Sequence, residues 1–420
     1  MKNLFYILFA MLIFTEINAA EVFVQDSVLT GPAYKQEVYY SLHNAQSKSS
    51  DANLWDIAFE IIGAGYSILS NDGYGVQVYY NPSLTYEDFE NNVDLDDVKK
   101  NWKQLYNSVF TWTEGAFVNS KDPENDFDLG WGEYSLATHS VIASRFYVVK
   151  TITGKWKKIV IDDLTARIYN FRIANLDGTE LIEKSLNKSN YEDRNFAYYS
   201  IDNDTFNNFE PSINEWDIVF TKYISMEGEN KDTPYPVTGV KTNPKIKSIR
   251  VGTNSPETHP IPDVADFTTN ITTIGSDWKR FDGTKFVISD TLAFFLYRTD
   301  TQKSFRLLFT GFGGSSTGKY VFKREEVATS VSDNNDANSF SLSVYPNVIN
   351  RGETVSVFSD INDGNIEIFS NDGKLIYTSS LSSNNELSIE TISTANLSTG
   401  MYYITLTNKF GKAIQKLIVQ

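Results

Sequence analysis

The sequence predicts a mainly β protein: two related antiparallel β units, then a small seven-stranded, immunoglobulin-like β-sandwich. Short β-branched and aromatic runs alternate with turns rich in Gly, Asn, Asp and Ser, which is typical of all-β chains. Four sequence blocks recur in one order, which indicates an internal duplication. Closely spaced short strands fill the end of the chain. With 41% hydrophobic and 14% aromatic residues, the chain has enough apolar side chains for packed cores.

Residues 1–20 have the pattern of a secretory signal. Lys2 supplies a positive charge, the run 4–14 is almost entirely apolar, and Ala19 and Ala20 offer a cleavage site. An apolar run of this length is too short to span a bilayer as a helix. The alternative is a buried strand or helix. We expect export of the chain, and a mature protein with no transmembrane segment.

The charge and the residue types exclude several classes of function. The 420-residue chain has a formal net charge of −16, three histidines and no cysteine. Nucleic acids and anionic membranes both require a basic surface, so neither is an expected partner. The absence of cysteine excludes thiol catalysis, disulfides, and zinc or iron–sulfur sites built on cysteine. The exported protein must therefore be stabilised by packing.

The recurring blocks divide the body into two units, at 21–180 and 181–328. The paired blocks are Tyr39–Asn44 with Tyr198–Asn203, Trp55–Phe59 with Trp216–Phe220, Lys158–Ile161 with Arg306–Phe309, and Tyr169–Phe171 with Tyr320–Phe322. Their offsets of 159, 161, 148 and 151 residues are similar, as a duplicated β module requires. Chance similarity between strands is the alternative. The sequence leaves open whether the units form one composite sheet or two lobes.

The second pair of blocks has the sequence Trp-Asp-Ile-x-Phe. Strand alternation predicts Trp, Ile and Phe on one face as anchors of the core, with Asp on the other face. We expect Asp56 and Asp217 to accept hydrogen bonds from a neighbouring turn. A catalytic role is the alternative, although neither block contains a second acid.

Two further segments interrupt the β pattern. Apolar residues at three- and four-residue steps predict a helix over 94–110, with Asp94 at its N-cap. The proline-rich stretch Pro234–Pro262 predicts an extended loop in the second unit.

The end of the chain is predicted to be a separate module. Residues 329–339 are rich in Ser, Asp and Asn and poor in apolar residues, as in a linker. The short strands of residues 340–420 then suggest a sandwich, with a hairpin turn at Asn371–Lys374.

This C-terminal module resembles the sorting domain of cargo proteins of the Bacteroidetes type IX secretion system. The resemblance rests on Tyr345–Val348, Ile366–Phe369, Asn371–Lys374, Leu397–Tyr403 and Lys416–Gln420, in that order. It implies handling by the type IX machinery after export, and release or attachment at the cell surface. A generic sandwich with a binding role is the alternative.

The two repeated units resemble the HmuY family of secreted or surface haem-binding β proteins. The second unit carries the closer match, in Tyr198–Ser200, Trp216–Phe220, Trp278, Phe281, Phe294–Leu296, Phe305–Gly311 and Gly318–Phe322. The resemblance implies haem, or a haemoprotein, as the partner, with His or Met as axial ligands. One family ligand position falls near Gly283, where no strong haem ligand is present. The remaining candidates for axial ligands are His139, His259 and Met226.

No sequence motif predicts catalysis, so we expect a non-enzymatic protein without a catalytic or metal site. The segment Gly314–Gly318 fits G-x-S-x-G, but strands flank it on both sides, which indicates a hairpin loop instead of a nucleophile elbow. Acidic loops at 126–130 and 360–364 lack the twelfth-position Glu of a calcium loop. Two hypotheses remain open: a haem-binding protein, and a surface structural or adhesion protein that has lost haem ligation.

Overall fold

The computed structural model confirms a mainly β protein, with 50% strand and 9% helix. It describes residues 23–228, 230, 232–327, 342–359, 361, 363–371, 373–382, 388–408 and 411–420. The predicted signal and linker lie outside these residues. The chain divides into two compact units, Met1–Ala328 and Thr329–Gln420. The first is called the body below.

The body is built from short strands joined by turns. In chain order the described strands are β1 (Val24–Leu29), β2 (Gln36–Ser41), β3 (Gln46–Asp51), β4 (Ile57–Glu60), β5 (Ile68–Ser70), β6 (Gln77–Tyr80), β7 (Lys103–Leu105), β8 (Gly132–Ser135), β9 (Ser140–Ala143), β10 (Phe146–Lys150), β11 (Trp156–Thr165), β12 (Ile168–Asn175), β13 (Ile182–Asn187), β14 (Phe196–Ser200), β15 (Thr205–Asn207), β16 (Ile218–Glu227), β17 (Thr233–Thr242), β18 (Ile246–Gly252), β19 (Lys279–Phe281), β20 (Phe286–Ile288), β21 (Leu292–Arg298), β22 (Lys303–Phe312) and β23 (Lys319–Val327).

Helices in the body are short. The described α-helices are α1 (Leu95–Asn101) and α2 (Gly314–Thr317), and the 3-10 helices are Pro32–Tyr34, Ala52–Leu54, Asp72–Tyr74, Tyr86–Glu90, Lys188–Tyr191 and Val264–Asp266. Asp94 caps α1 as predicted, since its side chain accepts from the Asp96 N–H. The predicted end at 110 is wrong. Trp102 is already extended, and the chain continues into β7, which places Leu105 in a sheet core.

The strands of the body form two lobes. In the first lobe the sheet β13-β12-β11-β10-β6-β7, with β8 and β9 beside β11, shares a core with the small sheet β15-β14-β4-β5. In the second lobe the sheet β1-β23-β22-β21-β18 shares a core with the small sheet β17-β16-β2-β3. The hairpin β19–β20 follows Trp278, as β8–β9 follows Trp131. The two lobes therefore repeat one architecture.

The two sequence units exchange strands between these lobes. Strand β2 from the first unit pairs with β16 of the second, with Tyr39 opposite Val219. Strand β14 from the second unit pairs with β4 of the first, with Tyr198 opposite Ala58. The phenolic oxygens of Tyr39 and Tyr198 lie 3.2 Å apart, where the small sheets meet. The body is therefore one composite structure whose lobes each need both units.

The prediction that Trp, Ile and Phe of the Trp-Asp-Ile-x-Phe blocks enter the same core is wrong for the Trp. Ile57 and Phe59 enter the first-lobe core, but Trp55 packs in a separate cluster between the small sheets. Trp216 does the same in the second lobe. Each Trp precedes its strand, so the alternation of the strand does not extend to it. Trp55 instead contacts Tyr198 edge-on, with 5.1 Å between ring centroids.

The proline-rich stretch is a loop only in its later part. Pro234 and Pro236 lie in β17, opposite Met226 and Ile224 of β16. Strand β17 is an edge of its sheet, where a missing N–H is tolerated. The stretch continues into β18 before the chain becomes irregular after Gly252.

The C-terminal unit is the predicted sandwich. Its described strands are β24 (Leu342–Tyr345), β25 (Val348–Ile349), β26 (Thr354–Ser359), β27 (Asp363–Ser370), β28 (Leu375–Ser382), β29 (Ser388–Ser393), β30 (Gly400–Asn408) and β31 (Gly411–Val419). The sheets β24-β26-β29 and β25-β31-β30-β27-β28 enclose one apolar core. The two-residue strand β25, parallel to β31, adds to the seven predicted strands. The hairpin turn is also confirmed, because the Ser370 N–H donates to the Lys374 carbonyl.

Candidate functional site

The three candidate haem ligands lie on different elements. His139 ends the turn between β8 and β9, with a positive φ of 53°. Met226 lies half-buried in β16, opposite Pro234. His259 follows β18, with its Nδ1 2.7 Å from the Pro260 carbonyl oxygen. No two of them share an element, and of the three only His139 lines the cleft described next.

His139 lines a cleft of about 650 Å³ in the first lobe, called the His139 cleft below. Met226 and His259 do not line it. The walls come from the loop after β4, the β8–β9 hairpin, the β11–β12 turn and the 3-10 helix at 188. Its lining residues include Tyr66, Phe127, Leu129, Val141 and Leu164, with Asp126, Tyr134, His139, Arg167 and Lys188 as polar groups. The cleft has the size and mainly apolar character of a small-molecule site.

A tyrosine holds the imidazole in this cleft. The Tyr134 hydroxyl lies 3.0 Å from His139 Nδ1. Both residues belong to one hairpin, and the His139 N–H donates to the Ser135 carbonyl at 2.8 Å. The other ring nitrogen, Nε2, has no hydrogen-bond partner among the residues that the structure describes. An imidazole held through one nitrogen, with the other free, is suited to bind a metal or an acceptor.

Two cations also line the His139 cleft. Lys188 Nζ donates to the carbonyls of Gly63 and Gly65, at 3.3 and 2.7 Å. Burial lowers the pKa of Lys188 to about 8, against the opposing effect of Glu60. Arg167, in the β11–β12 turn, lies 3.4 Å from a Glu192 carboxylate oxygen. With Asp126 in the same lining, the cleft has two basic side chains and one acidic one, a balance that favours an anionic group on an apolar ligand.

The equivalent hairpin of the second lobe carries no such pair. Gly283 lies between β19 and β20, and Phe281 is 55% exposed beside Phe286, at 5.3 Å between ring centroids. The nearby Lys279 ammonium donates to the Thr238 carbonyl at 2.6 Å, and burial lowers its pKa to about 7. The hairpin 279–288 contains no His or Met.

Sequence reasoning named His139 but missed Tyr134, Arg167 and Lys188. Tyr134 and His139 flank a short turn, and that spacing in a hairpin was the available signal. Arg167 and Lys188 lie 28 and 49 residues beyond His139. Only the folded sheet brings their side chains to one cleft, so no local pattern could identify them.

The other motifs of the sequence are structural in this fold. Gly314–Gly318 connects the paired strands β22 and β23 as predicted, but Gly314–Thr317 form the short helix α2 instead of the expected loop. Asp128 accepts from Arg145 Nη2 at 2.6 Å. Burial alone would raise the pKa of Asp128, but the Arg145 guanidinium and backbone N–H groups hold it below its usual value. Among the described residues no group of His, Asp and Glu side chains could hold a metal ion.

Asp56 and Asp217 accept hydrogen bonds from turns, as predicted. The Ile201 N–H donates to Asp56 Oδ2 at 2.7 Å, and the Leu42 N–H donates to Asp217 Oδ2 at 2.6 Å. Both carboxylates are buried.

Comparison with solved structures finds remote similarities, of which three follow. A structure of CHIR-AB1 is 16% identical, with a TM-score of 0.16, and the match covers 19% of this chain and 97% of that one. A polysaccharide lyase is 12% identical over 83% of this chain and 40% of the other, with a TM-score of 0.17. A biofilm-associated protein is 8% identical over 89% and 77%, with a TM-score of 0.17. Similarities this low support no argument about fold or function.

A family comparison identifies the end of the chain. No curated protein matches the sequence significantly. No helix in the described part of the chain is long and apolar enough to cross a membrane. Residues 343–420 match the secretion system C-terminal sorting domain. The chain therefore carries a sorting domain for type IX secretion, which implies export to the cell surface or the medium.

Proposed function

We propose that the protein is an exported, non-catalytic binding protein of the HmuY-like type that takes haem in the His139 cleft. The observation that carries this proposal is the His139 imidazole, held by Tyr134 in a mainly apolar cleft of about 650 Å³. That volume lies within the range of small-molecule sites, about 300–1,000 Å³.

The residues of the cleft suit the chemistry of haem. His139 would hold the iron through Nε2, because Nδ1 is already engaged by Tyr134. The apolar side chains would cover the porphyrin plane, and Arg167 and Lys188 would pair with the propionates. Bound haem would supply a coloured, redox-active iron, while the protein's own residues bind and orient it.

A haem titration of the full chain, followed at the Soret wavelength, tests this proposal. We expect a saturable Soret shift that is lost in His139→Ala and weakened in Tyr134→Phe. His259→Ala serves as the matched control, because His259 lies outside the cleft, and its titration should equal that of the wild type. A wild-type spectrum without a shift, or a shift that survives His139→Ala, would contradict the proposal.

We also propose that residues 1–20 are a secretory signal and that the mature protein is soluble or attached at the outer surface. The match of residues 343–420 to a sorting domain supports this proposal, because the resemblance implies a signal that is read after export across the inner membrane. N-terminal sequencing of the exported protein should find a start near residue 21. A mature chain that retains Lys2 would contradict the assignment.

A surface structural or adhesion protein is the second candidate. It is favoured by the second-lobe hairpin, which presents an exposed Phe281 and no His or Met. This candidate predicts no Soret shift for the wild type, so the same titration separates the two functions.

A further inference from the structure

A second cleft, of about 390 Å³, lies where the two lobes meet, and it is called the junction cleft below. The first lobe contributes the 3-10 helix at 72–74 and the strands β6 and β7. The second lobe contributes β16 and β17. The side chains that matter for its chemistry are Asp72, Tyr74, Gln77, Gln104, Tyr106 and Lys222.

A close backbone approach holds the two walls together. A Cβ atom at Gly73 would lie 2.2 Å from the Lys222 carbonyl oxygen, so only glycine allows this contact. The ammonium of Lys222 lies 4.7 Å from the centre of the Tyr74 ring, across the same junction. The cleft is therefore preformed, with groups from both lobes at fixed positions.

One tyrosine hydroxyl lies between two amides of the junction cleft and can donate to either amide oxygen, one at a time. The Tyr79 hydroxyl lies 3.2 Å from Gln77 Oε1 and 3.3 Å from Gln104 Oε1. The amide nitrogens of both glutamines have no hydrogen-bond partner among the described residues. They are therefore available as donors to a ligand.

The charges in the junction cleft balance. Asp72 carries the one negative charge and Lys222 the one positive charge among its lining residues. A ligand with a net charge would be attracted by one member of this pair and repelled by the other. A neutral ligand with many hydroxyl groups can instead form hydrogen bonds with both the ammonium and the carboxylate. Each hydroxyl both donates and accepts, so it can meet the amide donors, the ammonium and the carboxylate.

The junction cleft also offers aromatic surface. Tyr106 lines it half-buried, and its ring has no aromatic partner in the described part of the chain. Pro234 and Pro236 form a further apolar wall. Flat apolar surfaces beside a few directed polar groups suit a ring-shaped ligand with apolar faces and a polar edge.

We propose that the junction cleft binds a neutral saccharide unit. The ring packs on Tyr106 and the prolines, and its hydroxyls bond to Gln77, Gln104 and Lys222. Asp72 accepts through Oδ1, because Oδ2 already accepts from the backbone and side-chain N–H groups of Asn107. This site is separate from the His139 cleft and does not depend on haem binding.

The test uses the full chain on an array of immobilised neutral and uronic-acid oligosaccharides. We expect binding to neutral oligosaccharides, weakened about tenfold in Gln104→Ala and in Tyr106→Ala, as loss of one good contact implies. Tyr106→Phe keeps the ring and should bind better than Tyr106→Ala. Matched controls are Gln46→Ala and Tyr86→Ala, at exposed positions on other elements, which should bind as the wild type does.

Thermal unfolding of every variant shows whether a loss of binding reflects misfolding, and Tyr106→Phe keeps the test valid if Tyr106→Ala does not fold. The proposal is overturned if no neutral oligosaccharide on the array binds. It is also overturned if only uronic-acid oligosaccharides bind, or if the folded cleft variants bind as tightly as the controls.

Discussion

At the scale of single residues, the duplicated aspartates show how one sequence motif acquired two electrostatic settings. Asp56 Oδ1 accepts the Ile152 backbone N–H at 2.8 Å. Asp217 Oδ1 instead pairs with Arg298 Nη1 at 2.6 Å. The sequence predicts that both carboxylates accept hydrogen bonds from turns, and this prediction is confirmed. The Arg298 partner lies 81 residues from Asp217, too far in sequence for any local pattern to reveal.

The two settings predict unequal losses of stability. Asp217→Asn leaves the buried Arg298 guanidinium with only Asp300 as a charged partner among the described residues, so we expect a loss of about 3 kcal/mol in the free energy of unfolding. Asp56→Asn replaces one of the two oxygens that accept from backbone N–H groups with an amide group and should cost about 1–2 kcal/mol. Urea unfolding followed by tryptophan fluorescence measures both.

Asp266→Asn is the control for this comparison, because Asp266 is exposed and its carboxylate takes no part in the turns. It should change the stability by less than about 0.5 kcal/mol. Equal losses for Asp56→Asn and Asp217→Asn would contradict the role given to Arg298.

A buried glutamate predicts a pH dependence of stability. Glu210 is 1% exposed and accepts from the Asn195 and Phe196 N–H groups. Burial raises its pKa to about 8, from 4.5 in the unfolded chain. The folded state thus holds the proton more tightly, so its contribution to stability is complete below pH 4.5 and is lost as pH rises through 8. Each pH unit within this window costs at most about 1.4 kcal/mol.

Glu210→Gln should remove this loss, because the amide does not titrate. We expect the unfolding free energy of the wild type to fall relative to Glu210→Gln between pH 5 and pH 8, as measured by urea unfolding at each pH. Glu215→Gln, at an exposed position, should follow the wild type. Parallel curves for the wild type and Glu210→Gln would show that Glu210 does not titrate in this range.

At the scale of elements, strand exchange is the main feature of the body. The blocks of β2 and β14 are recognisable in sequence, but their partners are not, because each pairs across the unit boundary. The alternation of apolar and polar residues along a strand shows which side chains face the core, but it does not show which strand pairs with it. The predicted length of the helix at 94–110 is too great for a similar reason. The helical spacing of apolar residues continues through Trp102 and Leu105, but these residues are extended because they pack in cores formed with the sheets.

Strand exchange predicts that the two sequence units do not fold alone. The fragment 21–180 lacks β14, the partner of β4, and the fragment 181–328 lacks β2, the partner of β16. Each would leave a buried edge unpaired. We expect both fragments to be unfolded by circular dichroism and to form one folded complex when mixed in equal amounts. A cooperatively folded 21–180 fragment would contradict the exchange.

At the scale of the whole molecule, the chain consists of a body and a sorting domain, each with its own core. The core of the sandwich uses residues 342–419, and the cores of both lobes use residues before 328. Large aromatic side chains, such as Trp131, Trp216 and Trp278, are fully buried in the body. In a chain without cysteine, this packing takes the place of disulfides.

Because the two cores are separate, we expect the body to stay folded when residues 343–420 are deleted. Because these residues match a sorting domain, we expect the deletion to block export. The truncated protein should unfold at the same temperature as the body within the full chain, but remain in the periplasm. Immunoblots of periplasm, cell surface and medium measure the distribution. A second variant carries an unrelated β-sandwich in place of residues 343–420. It should also be retained in the periplasm, because the machinery does not recognise that sandwich. Export of either variant would contradict the sorting role.

The sequence by itself determined the β class, the turn-binding aspartates and the sorting domain, because each depends on short patterns of neighbouring residues. Tertiary structure decided which strands pair, where Trp55 and Trp216 pack, and which side chains join His139 and Lys222 in their clefts. These features depend on contacts between residues far apart in the chain. The burial and the backbone hydrogen bonds that select among the possible contacts involve several segments at once, so no single segment shows them.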